Sequence, residues 1–264
     1  MLATRDYFFD LARNLARQGS IPARNHGYFE QHRDRLWKTI YRFNLLETRC
    51  DHVLDIGPYF AYTPFLWKEK VATRVTIFEG DSPESAVLLP LYKARNIDVT
   101  YGDLLHTFDE LSPAEKKLPY ADNTFDRICC WEMMEHFNFN PVPFVRELHR
   151  VLKPGGHAHV TVPNMAKLDR RLALLCGRTV GTPVDEYQSS AGTKSYSFHW
   201  REYTLAEITE LFRNNSFTIE LSTHLQTFQN RPLASFGALK RTLAGAVIAV
   251  VPGFSALCLV KARK

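Results

Sequence analysis

Three carboxylates, Asp55, Glu79 and Asp103, each follow a short apolar run, and together they form a set suited to recognising a nucleoside. In His52-Val53-Leu54-Asp55-Ile56-Gly57-Pro58 an acid able to take an ammonium group precedes a glycine, where backbone can pass close to a ligand. Glu79-Gly80 ends the run Arg74–Glu79, which places a carboxylate to accept hydrogen bonds from both hydroxyls of a ribose. Asp103-Leu104, just after Ile97–Tyr101, is placed to bond the exocyclic amine of an adenine. A second group follows the run Phe125–Trp131: Glu132, Glu135 and His136 form an ExxEH pattern, and His199 comes later. Imidazole titrates near neutral pH, so His136 first and His199 second are the candidate proton acceptors.

The elements that must carry these groups are legible from the same runs. His52–Gly57, Arg74–Glu79, Ile97–Tyr101, Phe125–Trp131 and His157–Val162 read as strands, as do Phe217–Ser222 and Ala256–Lys261 near the end. Pro64–Lys70, Pro83–Arg95, Pro143–Leu152 and Thr204–Asn214 read as helices, the third terminated by Lys153-Pro154-Gly155-Gly156. The alternation predicts a Rossmann-like α/β fold with a doubly wound, mostly parallel seven-stranded sheet whose last strand is antiparallel. In such a sheet ligands bind beyond the carboxyl ends of the strands, where the strand order reverses. Residues 1–48 read as a helical extension and 49–264 as the sheet domain, with an irregular acceptor-side insertion at about 164–200.

The chain of 264 residues is 45% hydrophobic, enough for one full core, and its net charge of +5 is mild. Its basic residues form no continuous channel with stacking aromatics, so nucleic acid is not the expected partner. The five cysteines (Cys50, Cys129, Cys130, Cys176 and Cys258) form neither CxxC nor CxxH, which points to free thiols and a cytoplasmic setting. No long apolar secretory core opens the sequence, and Leu243–Val251 is too short to span a bilayer. The segment 233–252 mixes Lys240 and Arg241 with aliphatic residues, a pattern open to peripheral contact with the inner face of a membrane.

Three segments carry a specific resemblance: Leu118-Pro-Tyr-Ala-Asp-Asn-Thr-Phe-Asp126, Glu132-Met-Met-Glu135-His136, and Glu147-Leu-His-Arg-Val-Leu-Lys-Pro-Gly-Gly156. In this order they resemble the hallmark run of the class I S-adenosylmethionine-dependent methyltransferases with a type 11/type 23-like domain. The resemblance implies an S-adenosylmethionine site lined by Asp55, Gly57, Pro58, Glu79, Gly80, Asp103 and Leu104 and closed near Trp131. The glycine loop departs from the family pattern, reading Gly57-Pro58-Tyr59-Phe60-Ala61. Either Tyr59 keeps an ordinary backbone conformation and points away, or the site is altered.

The resemblance also frames the acceptor side. Methyl transfer needs an aligned nucleophile, exclusion of water and often removal of a proton. A similar ExxEH with a later histidine holds a metal in ubiquinone-pathway and RNA 3′-end methyltransferases, so Glu132, Glu135, His136 and His199 are an alternative ligand set for a divalent cation. Asn164, Arg201 and Tyr203 fall in a pattern similar to a branch associated with surface-glycan and lipid-linked saccharide synthesis, which implies contacts to a saccharide or other small hydroxylated acceptor. O-methylation of such an acceptor is the leading expectation. The alternatives are an RNA 2′-O-methyltransferase and a catalytically silent binding subunit.

Overall fold

The apolar runs become strands because most are buried on both faces, as a parallel sheet covered by helices requires. The computed structural model describes residues 2–17, 23–80, 86–109, 111, 115–189, 198–227 and 247–264. Its strands are β1 (Cys50–Ile56), β2 (Ala72–Glu79), β3 (Asp98–Tyr101), β4 (Phe125–Trp131), β5 (Leu152–Pro163), β6 (Thr218–Leu225) and β7 (Leu257–Arg263). They form one sheet in the order β3-β2-β1-β4-β5-β7-β6. β1 to β5 pair in parallel, and β7 runs antiparallel to both β5 and β6. This is the doubly wound, mostly parallel sheet with an antiparallel last strand that the sequence predicts. Its order reverses between β1 and β4.

Helices cover both faces: α1 (Leu2–Arg17), α2 (Ala23–Arg42), α3 (Thr63–Leu66), α4 (Leu89–Lys93), α5 (Leu104–Phe108), α6 (Pro141–Val151), α7 (Leu168–Leu175), α8 (Val184–Ser189) and α9 (Leu205–Arg213). The helix expected at Pro64–Lys70 is α3 running on into a wider π-helical turn, Trp67–Val71. The start of the one expected at Pro83–Arg95 lies outside the described residues, and α4 is its helical remainder. α9 starts at a capping box in which Thr204 and Glu207 satisfy each other's backbone N–H. The insertion after β5 is a correction, because it holds α7 and α8 where irregular chain was expected. α7 buries none of its residues. Most of the segment 233–252 lies outside the described residues, while 247–250 form a helical turn. No helix among the described residues is long and apolar enough to cross a membrane.

Two apolar cores flank the sheet. One includes Phe125, Ile128, Phe144, Leu148, Val160 and Phe212. The other joins Phe8, Phe29, Leu36 and Ile40 of the first two helices to Val53, Phe65, Trp67, Val75 and Ile77. The helical extension therefore shares a core with the sheet. The Lys153-Pro154-Gly155-Gly156 run does follow the end of α6, but it is taken up in the start of β5, across a register shift between Phe125 and Arg127. Gly156 is required there: an added Cβ would stand 2.9 Å from the Lys153 carbonyl oxygen and 3.1 Å from that of Asp126.

Phe29 is fully buried and meets Phe8 and Tyr62 edge-on, at 5.4 and 5.2 Å between ring centroids. Phe29→Ala is expected to cost about 3–5 kcal/mol in denaturant unfolding, as for a central core ring rather than an appended helix.

Candidate functional site

The carboxyl end of β1 sets the site. Asp55 is buried and accepts hydrogen bonds from the Thr63 hydroxyl at 2.8 Å and the Trp67 indole N–H at 2.7 Å. Burial pushes its carboxyl up to about 7, against the pull of those two donors. Gly57 then turns with φ 62°, and an added Cβ would stand 2.3 Å from the Met133 sulfur, so the position requires glycine. Glu79, at the end of β2, accepts from the Tyr59 and Gly80 backbone N–H groups, each at 3.1 Å, and burial pushes it too up to about 7. Tyr59 does not keep the ordinary backbone conformation that one of the two expectations required. Its φ is 46°, the conformation a glycine would supply, and its ring packs edge-on against Tyr28 at 5.2 Å.

A narrow cleft opens here, lined by Asp55, Gly57 and Pro58 from the β1 end, Trp131 and Glu132 at the end of β4, and Tyr28 and Arg35 from α2. Arg35 donates to Glu132 at 3.0 Å and to the Tyr28 hydroxyl at 3.2 Å, and Thr161 donates to the other Glu132 oxygen at 3.0 Å. Two buried donors, Arg35 Nε and Trp131 Nε1, have no protein partner. The sequence reading missed Arg35, since nothing separates it from the other charges of an amphipathic helix. Pro58 and Trp131 line the cleft as expected, whereas Glu79, Gly80, Asp103 and Leu104 lie outside its lining. Asp103 caps α5 by accepting from the His106 N–H at 3.1 Å, and Leu104 is buried.

The acceptor group assembles around the 3₁₀ turn Met134–His136. Ligand atoms of Glu135, His136 and His199 lie within 4.8 Å of one another, and the two imidazoles meet edge-on at 4.9 Å. Glu132 does not join them, because Arg35 and Thr161 draw its carboxylate to the cleft. His136 donates through Nδ1 to the Phe198 carbonyl at 3.0 Å, and burial, then the neighbouring His199, lowers its pKa to about 4. His199 donates through Nδ1 to Glu202 at 2.8 Å. The Glu202 side chain is 3% exposed and is also gripped by Arg170. Burial, then the Glu132 charge, raises the Glu135 carboxyl, and Glu135 Oε2 is buried with no partner. Glu202 was also missed; its spacing of three from His199 was the available signal.

Two expected acceptor contacts are corrected. Asn164 is fully buried and spends its amide on the Gly253 and Ser255 carbonyls at 2.9 and 2.8 Å, and its oxygen on the Ala166 N–H at 2.9 Å. It is a staple between loops, with no group left for an acceptor. Tyr203 is buried in the core, with the exposed Arg201 guanidinium 5.2 Å from its ring. Arg201 alone of the three stands at the surface, donating to Glu207 at 3.3 Å.

Asp55 makes stability depend on pH. Its carboxyl titrates near 3.8 when unfolded and at about 7 when folded, so the folded state holds a proton that the unfolded state releases. Unliganded stability should fall as pH rises across that interval. Asp55→Asn, whose Oδ1 can still accept from Trp67 and Thr63, should flatten that part of the profile in melting temperatures recorded from pH 5 to 8.

Comparison with known proteins bears on the domain and the fold. Residues 84–160 match a family described as a methyltransferase domain. A protein of Mycolicibacterium smegmatis, described as a "Probable S-adenosylmethionine-dependent methyltransferase", is 29% identical over 150 residues, covering 57% of this chain and 46% of the relative. The chain thus spans about half the length of that curated relative. The crystal structure of an S-adenosylmethionine-dependent methyltransferase from Mesorhizobium loti superposes with a TM-score of 0.59 at 17% identity, covering 89% of this chain and 98% of that one. A methyltransferase of Haloferax volcanii, solved in complex with the Trm112 methyltransferase activator, gives 0.59 at 18% identity, covering 90% and 93%. Residues 84–160 thus match a methyltransferase domain, and the chain shares the fold of these S-adenosylmethionine-dependent methyltransferases.

Proposed function

We propose that the chain transfers a methyl group from S-adenosylmethionine to a hydroxyl of a saccharide or other small hydroxylated acceptor. One observation carries this reading: the cleft with its buried, unpartnered Arg35 and Trp131 donors and the histidine cluster are both built on the segment Trp131–His136 at the end of β4. The cleft suits the cofactor. Arg35 Nε and Trp131 Nε1 would donate to its carboxylate, and Asp55 and Glu132 would face its ammonium group. Glu79 would accept from the ribose hydroxyls, and Asp103, with Leu104 and Gly80, would border the base. When bound, S-adenosylmethionine supplies a methyl group on a sulfonium, whose departure needs no acid. On the acceptor side His199 takes the hydroxyl proton through Nε2, its Nδ1–H held by Glu202. His136 is held neutral beside it. α2 roofs the cleft and excludes water.

Titration calorimetry tests the cofactor half. S-adenosylhomocysteine should bind the wild type in the micromolar range, with Arg35→Met and Glu79→Gln each weakening it on the order of tenfold to a hundredfold. No heat at millimolar ligand would instead establish a catalytically silent binding subunit. For the acceptor half, labelled methyl transfer to hydroxylated saccharides should exceed transfer to short RNA. The reverse preference, with strong salt dependence, would identify an RNA methyltransferase.

A second reading rests on the unpartnered Glu135 oxygen inside the Glu135, His136 and His199 cluster. One carboxylate and two imidazoles are a ligand set for a divalent transition metal, which would lower the pKa of an acceptor hydroxyl. On this reading manganese or zinc raises the melting temperature of the wild type and not of His199→Ala, and chelator abolishes turnover. Full activity in chelator removes it.

A further inference from the structure

We infer that the outer face of α7, together with the turn at 247–251, docks on an anionic lipid surface. Leu168, Leu172 and Leu175 recur at helical spacing and form one stripe, the stripe by which a short helix is ordinarily held to a core. Here it faces outward: α7 has no buried residue, Leu172 and Leu174 are exposed, and Leu175 is 83% exposed. A second apolar outcrop adjoins it. Val247 and Val251 are exposed and Val250 is 82% exposed, on a turn closed by the Val251 N–H donating to the Val247 carbonyl. That turn leads into Pro252–Phe254, and the Arg171 guanidinium of α7 lies 5.1 Å from the Phe254 ring. Single exposed aliphatic residues are ordinary, but six on two adjoining elements make a patch.

Charge selects the occupant. Arg171 and Arg178 are exposed beside the leucines. Aliphatic side chains flanked by arginines suit the boundary between acyl chains and anionic headgroups, where the chain would lie on the bilayer without spanning it. The patch belongs to the same insertion as the histidine site: Thr182, between α7 and α8, donates to the His199 carbonyl at 3.1 Å, and Arg170 of α7 grips Glu202. Seating it would bring an acceptor held in the headgroup layer beside His199. The inference stands on exposure and charge and does not require the methyl-transfer reading.

Flotation of the full chain with vesicles tests it. The wild type should float with mixed phosphatidylglycerol and phosphatidylcholine vesicles, stay behind with pure phosphatidylcholine, and be released by salt. Leu172→Ser with Leu175→Ser should weaken the partitioning about tenfold or more, with an unchanged melting temperature and unchanged S-adenosylhomocysteine binding. Equal flotation of the double variant, or no binding of the wild type to anionic vesicles, would overturn it. So would self-association in light scattering that the double variant abolishes, because the patch would then belong to a second copy of the chain.

Discussion

The turn from β1 into α3 must bend beneath a ligand-facing edge with a single glycine, and much of the structure is organised to hold it. Gly57 takes φ 62°, but Tyr59 and Tyr62 take 46° and 57°, in a region that costs an L-residue about 1–2 kcal/mol each. Such strain persists only where surroundings over-determine it. Asp55 supplies one anchor by tying Thr63 and Trp67 to the end of β1. The other comes from α2, whose Tyr28 packs against Tyr59 and whose Phe29 packs against Tyr62. The helical extension therefore does what extra glycines would do in this loop: it makes the left-handed turn the stable one.

The same helix divides the site into two environments. Glu132 adopts φ 54° immediately after β4, and its carboxylate is drawn toward Arg35 and Thr161. Three residues on, Glu135 is buried with one carboxyl oxygen unpartnered, and its carbonyl receives the Trp200 and Arg201 N–H groups. Had both acids faced the histidines, two carboxylates would have shared one small cluster, and the repulsion that already raises Glu135 would have grown. Arg35 relieves this by turning Glu132 to the cleft.

How much was legible follows from where each interaction closes. The hallmark segments are stitched together near the amino ends of the strands. Asp126 accepts from the His52 N–H at 2.8 Å and from Lys153 at 2.9 Å, and Glu147 accepts from the Leu118 N–H at 2.8 Å and from Arg150 at 2.7 Å. Such closures fix residue types at fixed spacing, so the fold and sheet order are readable. Arg35 meets Glu132 across nearly a hundred positions of chain, and no local pattern records that. Asn164 shows the opposite failure: a polar residue after a strand looks the same whether its amide faces an acceptor or, as here, two carbonyls of a distant loop.

The acceptor half obeys a looser constraint, which is why fold alone does not name the acceptor. Apart from the buried Phe198 and Tyr203, the described part of the chain from Asn164 to Thr204 is held by polar closures: Asn164 to the loop before β7, the Trp200 and Arg201 N–H groups to Glu135, and Arg170 to Glu202. α7 contributes nothing to either core. Substitutions there change what the histidines face at little cost to the sheet, whereas a change at Asp55 or Phe29 is felt throughout. An element with so little core to lose is free to present apolar side chains outward, and α7 does.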